Sequence, residues 1–571
     1  MAEASATSSR GGHRHDNLND VWHRGSARSS RRSAASVVAS VAAAVAIAAG
    51  TVSCGGASST APGVEPGTPA PTASTTPSAP GLVSAAPAAT LAPGPSPTTR
   101  PSVALVPVVS FWSTQRKIAR ADLASLVGGT GAAVRPAYSK VIVGATDAAA
   151  LAATLGVTIG PPVQTASPDE VRAAVRGSAT TIGVLRAEDV TPDVRALAIG
   201  DVSLFGSGRL TDLSAWPLTV PTGSPSTFDM QAAWVLAAGG DVNLERNVYY
   251  YAVKKKRGAD YPWAGGYASI RGRVCCGFQK NMLAVGRRTG GAGAFSTLLR
   301  HADLALANLE GPAPNDYVYH GDGLSFSFDP ALLVGLADAG IDGVGLANNH
   351  IRNAGNQGVL DTCVNLDKVG VKHAGAGANA AAASAPVWFA AGHELIAFLS
   401  YDQLQPGNFA TATKPGAAQY TVARAVAGIK AARAAGANFV IVMPHWGSEY
   451  SEYVGPWQRR DAAAMVAAGA DLILGSHSHF TGPVEAISRT TGGPAFVAYS
   501  LGDLLFDLNY SESTQEGVAA DLTYSGKRLV QVDLHPTLMV DHSQVNLLDP
   551  AGDGKRVLDR IRAASAKTLH W

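Results

Sequence analysis

The stretch Leu472-Ile473-Leu474-Gly475-Ser476-His477-Ser478-His479 runs from three apolar residues directly into a glycine and two histidines. A short apolar run that stops at glycine is typical of a buried strand, and the helical pattern Pro456–Ala468 precedes it. Open α/β sheets gather their ligands at the carboxyl ends of strands, so both histidines are predicted to face one crevice. The His-x-His spacing supports this, because residues i and i+2 of an extended segment lie on the same side.

Other apolar runs between residues 230 and 545 end in the same way, in residues that can bind metal. Their polar ends are Asp241 with Asn243, Asn308 with Glu310, Asn349 with His350, His445, and Asp503. No one of these ends is specific, but their recurrence at strand ends favours a shared metal site over isolated loop residues. Mixed oxygen and nitrogen donors suit Mn, Fe or Zn. A bridging carboxylate flanked by His and Asn is the usual frame for two divalent metal ions.

Composition bounds the function classes. The chain has 571 residues, with 45 Lys and Arg against 43 Asp and Glu, and a net charge of +2. This balance, with 46% hydrophobic residues, excludes a polybasic nucleic-acid binder and a wholly disordered chain. Four cysteines cannot form a disulfide scaffold. The length predicts about two to four domains.

The N-terminus has the pattern of an export signal. Arginines in residues 1–32 precede an uncharged segment whose apolar run Ala34–Gly50 leads to Cys54. Residues 1–54 are therefore predicted to be a signal of the bacterial lipoprotein kind, lipidated at Cys54, or a single membrane-spanning anchor. Both alternatives place the rest of the chain outside the cytoplasm, anchored to the bacterial cell membrane. Residues 55–101, rich in Pro, Ser, Thr and Ala, are predicted to be an extended, disordered linker.

Residues 102–225 alternate apolar strands with amphipathic helices and predict a small α/β domain. Its stretch Thr181–Gly200 faintly resembles one lobe of a solute-binding protein, and it carries no catalytic constellation. Pro107 lies within the first apolar run and predicts an edge strand. Residues 230–545 form the domain with the metal-binding strand ends, and residues 546–571 are predicted to be a C-terminal helix or tail.

The strand-end motifs of residues 232–545 resemble the CapA family of capsule, or poly-γ-glutamate, synthesis proteins. The resemblance implies a four-layer α/β/β/α sandwich of the calcineurin-like metallophosphoesterase kind. It also implies two metal ions, one held by Asp241 and His479 and the other by Asn349, His445 and His477, with Glu310 bridging. By the same resemblance, His350 beside Asn349 is the acid that faces the leaving group, and Arg246 and Asn308 face an anionic substrate.

Three residues depart from the pattern of the family or its fold. Asn243 replaces a usual histidine and is expected to weaken one metal position. Asn353 replaces a usual aspartate and is expected to orient His350 less well, because an amide holds a histidine tautomer less firmly than a carboxylate. Asp503 replaces a usual asparagine.

The segment Asn247–Gly293 is a second feature, in which nine basic residues interleave with aromatics against one acid, Asp260. Lys254, Lys255, Lys256 and Arg257 are predicted to dock an anionic polymer, although a solvated charged insertion fits the pattern equally well. The adjacent Cys275 and Cys276 are interpreted as loop thiols.

Two functions remain open at this point. The first is an extracytoplasmic metal-dependent hydrolase acting on a phosphoester or on an amide of an anionic cell-surface polymer. The second is a non-catalytic polymer-binding or export component that works with capsule synthase or export proteins in the membrane and retains the fold. Asn243 and Asn353 favour the second, whereas the retained metal-binding residues favour the first.

Overall fold

The computed structural model describes residues 101–571, apart from residues 162, 223–224, 275–281 and 285. The predicted export segment with Cys54, linker residues 55–100, and Cys275 with Cys276 lie outside the described residues. Among the helices that are described, none is long and apolar enough to cross a membrane.

The first domain is a small α/β unit, as its alternating pattern predicts. Its elements in chain order are β1 (Ser102–Ser110), β2 (Lys117–Ile118), α1 (Arg120–Val127), β3 (Lys140–Gly144), α2 (Ala148–Leu155), β4 (Val163–Ala166), α3 (Pro168–Arg176), β5 (Thr181–Arg186), β6 (Val194–Ala196), β7 (Ala198–Ile199) and β8 (Thr219–Pro221). The main sheet has the order β4-β3-β5-β1-β6, and β8 also pairs with β1.

The prediction that Pro107 marks an edge strand is wrong, because β1 is paired on both sides. One side of β1 pairs with β5 along Leu105–Val108. The other side pairs first with β8, through Ala104, and then with β6, from Val108 onward. Pro107 lies where the neighbour changes, so its missing N–H costs no ladder hydrogen bond, and its carbonyl still accepts from Leu197.

The second domain follows in chain order. Its elements are β9 (Ala233–Val242), α4 (Asn247–Tyr249), β10 (Tyr267–Ser269), β11 (Gly272–Val274), β12 (Met282–Ala284), β13 (Arg287–Gly290), α5 (Ala294–Arg300), β14 (Leu304–Leu309), α6 (Val334–Ala339), β15 (Gly343–Gly345), α7 (Gly355–Lys368), β16 (Lys372–Ala374), β17 (Ala376–Gly377), α8 (Ala380–Ser384), β18 (Val387–Ala391), β19 (Glu394–Asp402), β20 (Gly416–Ala417), α9 (Val422–Ala434), β21 (Phe439–His445), α10 (Pro456–Ala468), β22 (Leu472–Leu474), β23 (Val484–Ile487), β24 (Ala495–Ala498), β25 (Asp503–Leu505), α11 (Glu512–Gln515), β26 (Glu516–Ser525), β27 (Arg528–Val540), β28 (Gln544–Leu548) and α12 (Lys555–Ser565). The π-helix Tyr250–Lys254 continues α4.

Two large sheets form the middle of this domain. The first has the order β13-β10-β28-β27-β26-β9-β14-β15-β16, with β25 also paired to β9. The second has the order β18-β19-β21-β22-β24-β23. A buried apolar cluster joins their facing sides through Trp234, Leu236, Phe439 and Phe496. The two sheets therefore pack face to face.

Helices cover the two outer faces of this pair of sheets. Phe295, Leu336 and Val359 from α5, α6 and α7 belong to one outer apolar cluster, on the side of β9, β14 and β15. Ile429 and Met465 from α9 and α10 belong to the other, on the side of β19, β21 and β22. The layers run helix, sheet, sheet, helix, so the predicted four-layer sandwich is confirmed.

Both sheets bring their strand ends to one crevice. The strands β9, β14 and β15 run parallel, as do β21, β22 and β24. The backbones here approach closely: a Cβ on Gly240 would stand 1.8 Å from the carbonyl oxygen of Gly502, and one on Gly475 would stand 2.0 Å from that of Tyr499. Only glycine fits at such distances. The first contact holds Asp241 beside the start of β25, and the second holds the loop with His477 beside the end of β24.

The two domains contact each other through a buried ion-pair network. Asp533 of β27 pairs with Arg195 at 2.6 Å and with Arg116 at 3.1 Å. Burial alone would raise the pKa of the Asp533 carboxyl, but the two guanidinium groups outweigh it and hold that pKa well below its usual range.

Candidate metal centre

Two groups of ligand atoms meet in the crevice and share one residue. One group is Asp241, Glu310 and His479, and the other is Glu310, His445 and His477, with all ligand atoms of a group within 4.8 Å of one another. Asn349 lies at the second group, where its Oδ1 is 2.9 Å from His445 Nε2. This division is the one that the family resemblance implies.

Burial dominates the electrostatics of the side chains in this centre, and it disfavours the charged form of each of them. Burial raises the pKa of Glu310 to about 8 and raises that of Asp241 well above its usual range. Burial and the neighbouring histidines lower the pKa of His445 and His477 well below the usual value. Both carboxylate oxygens of Glu310 and Nδ1 of His477 are buried and have no hydrogen-bond partner in the described part of the chain. Divalent cations suit this donor set, because they satisfy carboxylates and neutral imidazoles together.

Asn308 orients Asp241 within the centre. Its side chain is 1% exposed, and its amide donates to Asp241 Oδ1 at 2.8 Å. The second oxygen of Asp241 accepts from the backbone N–H of His477 at 3.0 Å. Asn308 Nδ2 also lies 3.3 Å from His445 Nδ1, and the role of Asn308 toward an anionic substrate stays a prediction.

Asp503 has a role that the sequence pattern did not assign. Its Oδ1 lies 2.8 Å from His479 Nδ1, and its side chain is buried. The pairing turns Nε2 of His479 toward Glu310, whose Oε1 lies 4.0 Å away. A carboxylate on the far nitrogen fixes the tautomer of a ligating histidine and raises its basicity. The signal was the replacement of Asn by Asp at 503, whose spatial partner the sequence could not identify.

Asn353 takes up the position that an aspartate would occupy beside His350. Its Oδ1 accepts from the backbone N–H of Phe326 at 2.8 Å and lies 2.8 Å from His350 Nδ1. An oxygen can only accept, so His350 donates from Nδ1 and presents an unprotonated Nε2 to the crevice. Burial lowers the pKa of His350 to about 4, so the ring is neutral at pH 7.

Asn243 is buried at the end of β9 and holds the turn that follows. Its Oδ1 accepts from the backbone N–H of Glu245 at 2.9 Å, while its Nδ2 has no partner among the described residues. The oxygen that could bind a cation is thus engaged by the backbone.

Strained backbone surrounds the crevice. His477 has φ 94°, His479 φ 56°, Arg246 φ 52° and Tyr450 φ 54°. A non-glycine residue in the left-handed region carries a cost of about 1 kcal/mol or more, and such residues cluster at functional sites. Tyr450 stacks on His479 with ring centroids 5.6 Å apart, which closes one side of the crevice.

The cations that are predicted to bind the substrate lie away from the side of the crevice that Tyr450 closes. Arg246 places its guanidinium 4.8 Å from the ring of Phe326, which packs 4.3 Å from His350. Lys254, Lys255, Lys256 and Arg257 are exposed at the end of the π-helix and beyond it. They do not contact the metal-binding groups.

Residues 235–508 match the family model described as bacterial capsule synthesis protein PGA_cap. The resemblance to the CapA family is confirmed. The CapA-like domain is similar to the capsule biosynthesis protein CapA of Bacillus anthracis, with 25% identity over 48% of this chain and 67% of that protein. It is also similar to the PGA biosynthesis protein CapA of Bacillus subtilis, with 28% identity over 38% of this chain and 56% of that protein.

Among solved structures, the CapA-like domain resembles the calcineurin-like phosphoesterase YfkN of Bacillus subtilis. The identity is 12% and the TM-score 0.30, over 58% of this chain and 99% of that one.

Proposed function

We propose that this chain is a membrane-anchored, extracytoplasmic component of capsule synthesis whose metal centre hydrolyses a bond in an anionic polymer of the poly-γ-glutamate type. The observation that carries the proposal is the pair of buried ligand groups that share Glu310. The names of the Bacillus relatives support the polymer class. The bond is a phosphoester or an amide.

The residues divide the work in the following way. Asp241, Glu310 and His479 would hold one divalent ion, and Glu310, Asn349, His445 and His477 the other. Two such ions supply Lewis-acid stabilisation of developing negative charge and a lowered pKa for water. His350, held by Asn353, directs an unprotonated Nε2 into the crevice, where it would accept a proton from the attacking water and pass that proton to the leaving group. Arg246 at the rim orients an anionic part of the substrate.

The test combines metal content with turnover, using the purified full chain. We expect two equivalents of bound metal and hydrolysis of bis(p-nitrophenyl) phosphate or of a γ-glutamyl amide. His350→Gln should retain the metal and lose roughly a hundredfold in turnover. His373→Gln, a half-buried histidine paired with Asp367 outside the crevice, is the matched control and should match the parent protein.

The alternative is a polymer-binding export component that retains the fold without catalysis. The observation that favours it is Asn243, whose oxygen is engaged by Glu245 where the fold usually supplies a histidine. Two bound metals with no turnover of either substrate would establish this alternative and refute the hydrolase.

The location is part of the proposal. The arginine-flanked apolar run Ala34–Gly50 and Cys54 support anchoring outside the cytoplasm. Cell fractionation with an epitope after Trp571 should place the tag in the membrane fraction, accessible to external protease. A tag found free in the cytoplasm contradicts this.

A further inference from the structure

A row of cations, four over aromatic rings and one hydrogen-bonded to a tyrosine hydroxyl, leads away from the metal centre. We call it the cation–tyrosine row. Its cations are Arg246, Lys254, Lys255, Arg257 and Arg288, and its rings are Phe326, Tyr319, Tyr249, Tyr250, Tyr251 and Tyr261.

The row begins at the catalytic crevice. Phe326 packs against His350, and Arg246 lies over the outer side of Phe326 at 4.8 Å. Arg246 also donates to the carbonyl of Gly323, in the loop that carries Tyr319. Glu245 fixes this loop by accepting from the backbone N–H and Nδ1 of His320, at 3.0 and 2.7 Å. The first cation of the row is therefore attached to the wall of the metal centre.

The next step joins this loop to the π-helix. Tyr319 stacks on Tyr249 with centroids 4.9 Å apart. Lys254 extends its ammonium group over both rings, at 5.5 Å from Tyr249 and 5.9 Å from Tyr319. Lys255 lies 5.2 Å over Tyr250. Both ammonium groups stand on exposed side chains.

The row ends in a small cavity lined in part by the segment Asn247–Gly293, at the end of the row away from the metal centre. Tyr250 packs on Tyr251 at 5.5 Å, and Arg257 lies over both Tyr251 at 5.2 Å and Tyr261 at 4.8 Å. The hydroxyl of Tyr261 accepts from Arg288 at 3.3 Å. Arg257, Tyr261 and Arg288 line a cavity of about 310 Å³ together with Gln544 and Asn546.

Lys254, Lys255 and Arg257 are held in place without losing their charge to an ion pair. An aromatic face fixes a cation through its quadrupole and contributes no negative charge. Asp541 pairs with Arg288 at 2.9 Å. For Lys254, Lys255 and Arg257, no described carboxylate lies within ion-pair distance, 4.0 Å. Three positive charges are therefore oriented and available to a ligand.

We propose that the cation–tyrosine row is a binding track that guides a linear polycarboxylate to the metal centre. The identity of the polymer rests on the proposed function. The occupancy of the rings argues against a single-stranded nucleic acid, which requires free aromatic faces for its bases. Here the cations of the protein themselves cover those faces, so the track offers charge to a chain that carries carboxylates along its length.

The test is fluorescence anisotropy of labelled poly-γ-glutamate on the full, chelated chain, compared with a labelled γ-glutamyl dimer. We expect the long chain to bind much more tightly than the dimer, and its affinity to fall with salt. The double variant Lys254→Ala, Arg257→Ala should bind the long chain roughly tenfold more weakly, about 1.4 kcal/mol. Lys430→Ala, an exposed cation on α9, is the matched control and should leave binding unchanged.

Turnover separates this track from the proposed hydrolase. Turnover of bis(p-nitrophenyl) phosphate by the parent protein tests the hydrolase alone, because this small substrate does not need the track. A parent protein without turnover contradicts the hydrolase and leaves the anisotropy result to decide the track. Unchanged binding in the double variant, equal affinity for dimer and long chain, or tighter binding of an oligothymidylate of equal charge would each overturn the track.

Discussion

Glu310→Gln should remove much of the pH dependence of stability in the metal-free protein. Glu310 is fully buried, and burial raises the pKa of its carboxyl from the ordinary 4.5 to about 8. Between these values the folded chain keeps a proton that the unfolded chain has released. Stability is therefore lost as pH rises through this window, the opposite of the usual behaviour of a salt-bridged carboxylate.

The size of the effect follows from the two pKa values. Linkage gives a loss of about 3 kcal/mol from Glu310 alone between about pH 5.5 and pH 8. Glutamine has nearly the same shape and cannot ionise, so the variant lacks this contribution. Asp241 and Asp503 are also buried with raised pKa values, and they remain in both proteins. The part of Asp503 cancels in the comparison, whereas Glu310 is one cause of the raised pKa of Asp241, so the substitution lowers that pKa and widens the difference in the same direction.

The assay is urea denaturation of the chelated parent and of Glu310→Gln at both pH values. The free energy of unfolding should fall more steeply in the parent, by about 3 kcal/mol over the interval. Metal-loaded parent protein is the control, and it should gain stability with pH, because cations compete with protons for the same carboxylate oxygens. Parallel curves for the two chelated proteins would refute the reasoning, since they would mean that Glu310 ionises normally in the fold.

Three further predictions concern the same centre. Glu310→Ala should release more metal than His479→Ala, because only Glu310 belongs to both groups; full metal retention in Glu310→Ala, by elemental analysis, contradicts this. Chelator titration of the parent should release one equivalent of metal before the other, the first from the group of Asp241 and His479; simultaneous release would be the contrary result. Asp503→Asn should weaken the metal affinity of that group by roughly ten- to a hundredfold. Asn353→Leu should lower turnover while metal content stays constant, whereas Asn353→Asp should preserve both, because the Asp carboxylate can accept from His350 as the amide oxygen does.

The sequence predicts the fold well where the signal is local. Apolar runs that end abruptly in polar residues identify β9, β14, β21 and β22, since a fully buried parallel strand has no alternating pattern to interrupt. The same abrupt ends identify the strand-end residues that make up the two ligand groups. The helix Pro456–Ala468 has the bounds that its pattern predicts, because a proline at the first position and a glycine after the last one define it.

Prediction fails where an outcome depends on partners distant in the chain. Proline predicts an edge strand because a continuous neighbour would need the N–H that proline lacks. In β1 the strands β8 and β6 divide one side between them, and Pro107 lies at the gap, so an internal strand tolerates it. Asn308 lies 67 positions from Asp241 in the sequence, so the sequence alone does not reveal that its amide donates to this carboxylate. The role of Asp503 likewise depends on His479, which reaches it only when the loops after β22 and β24 meet.

The departures at residues 243 and 503 belong to the same half of the metal centre. Asn243 removes a neutral nitrogen donor from the group of Asp241 and His479, while Asp503 adds a carboxylate behind His479. This half is therefore rich in oxygen and negative charge, whereas the half with His445 and His477 keeps two imidazoles. Harder ions prefer oxygen donors, and Zn or Fe prefers imidazole. If two ions bind, the two departures together make the two ligand groups that share Glu310 unlike each other, and this asymmetry is why we expect stepwise release of metal.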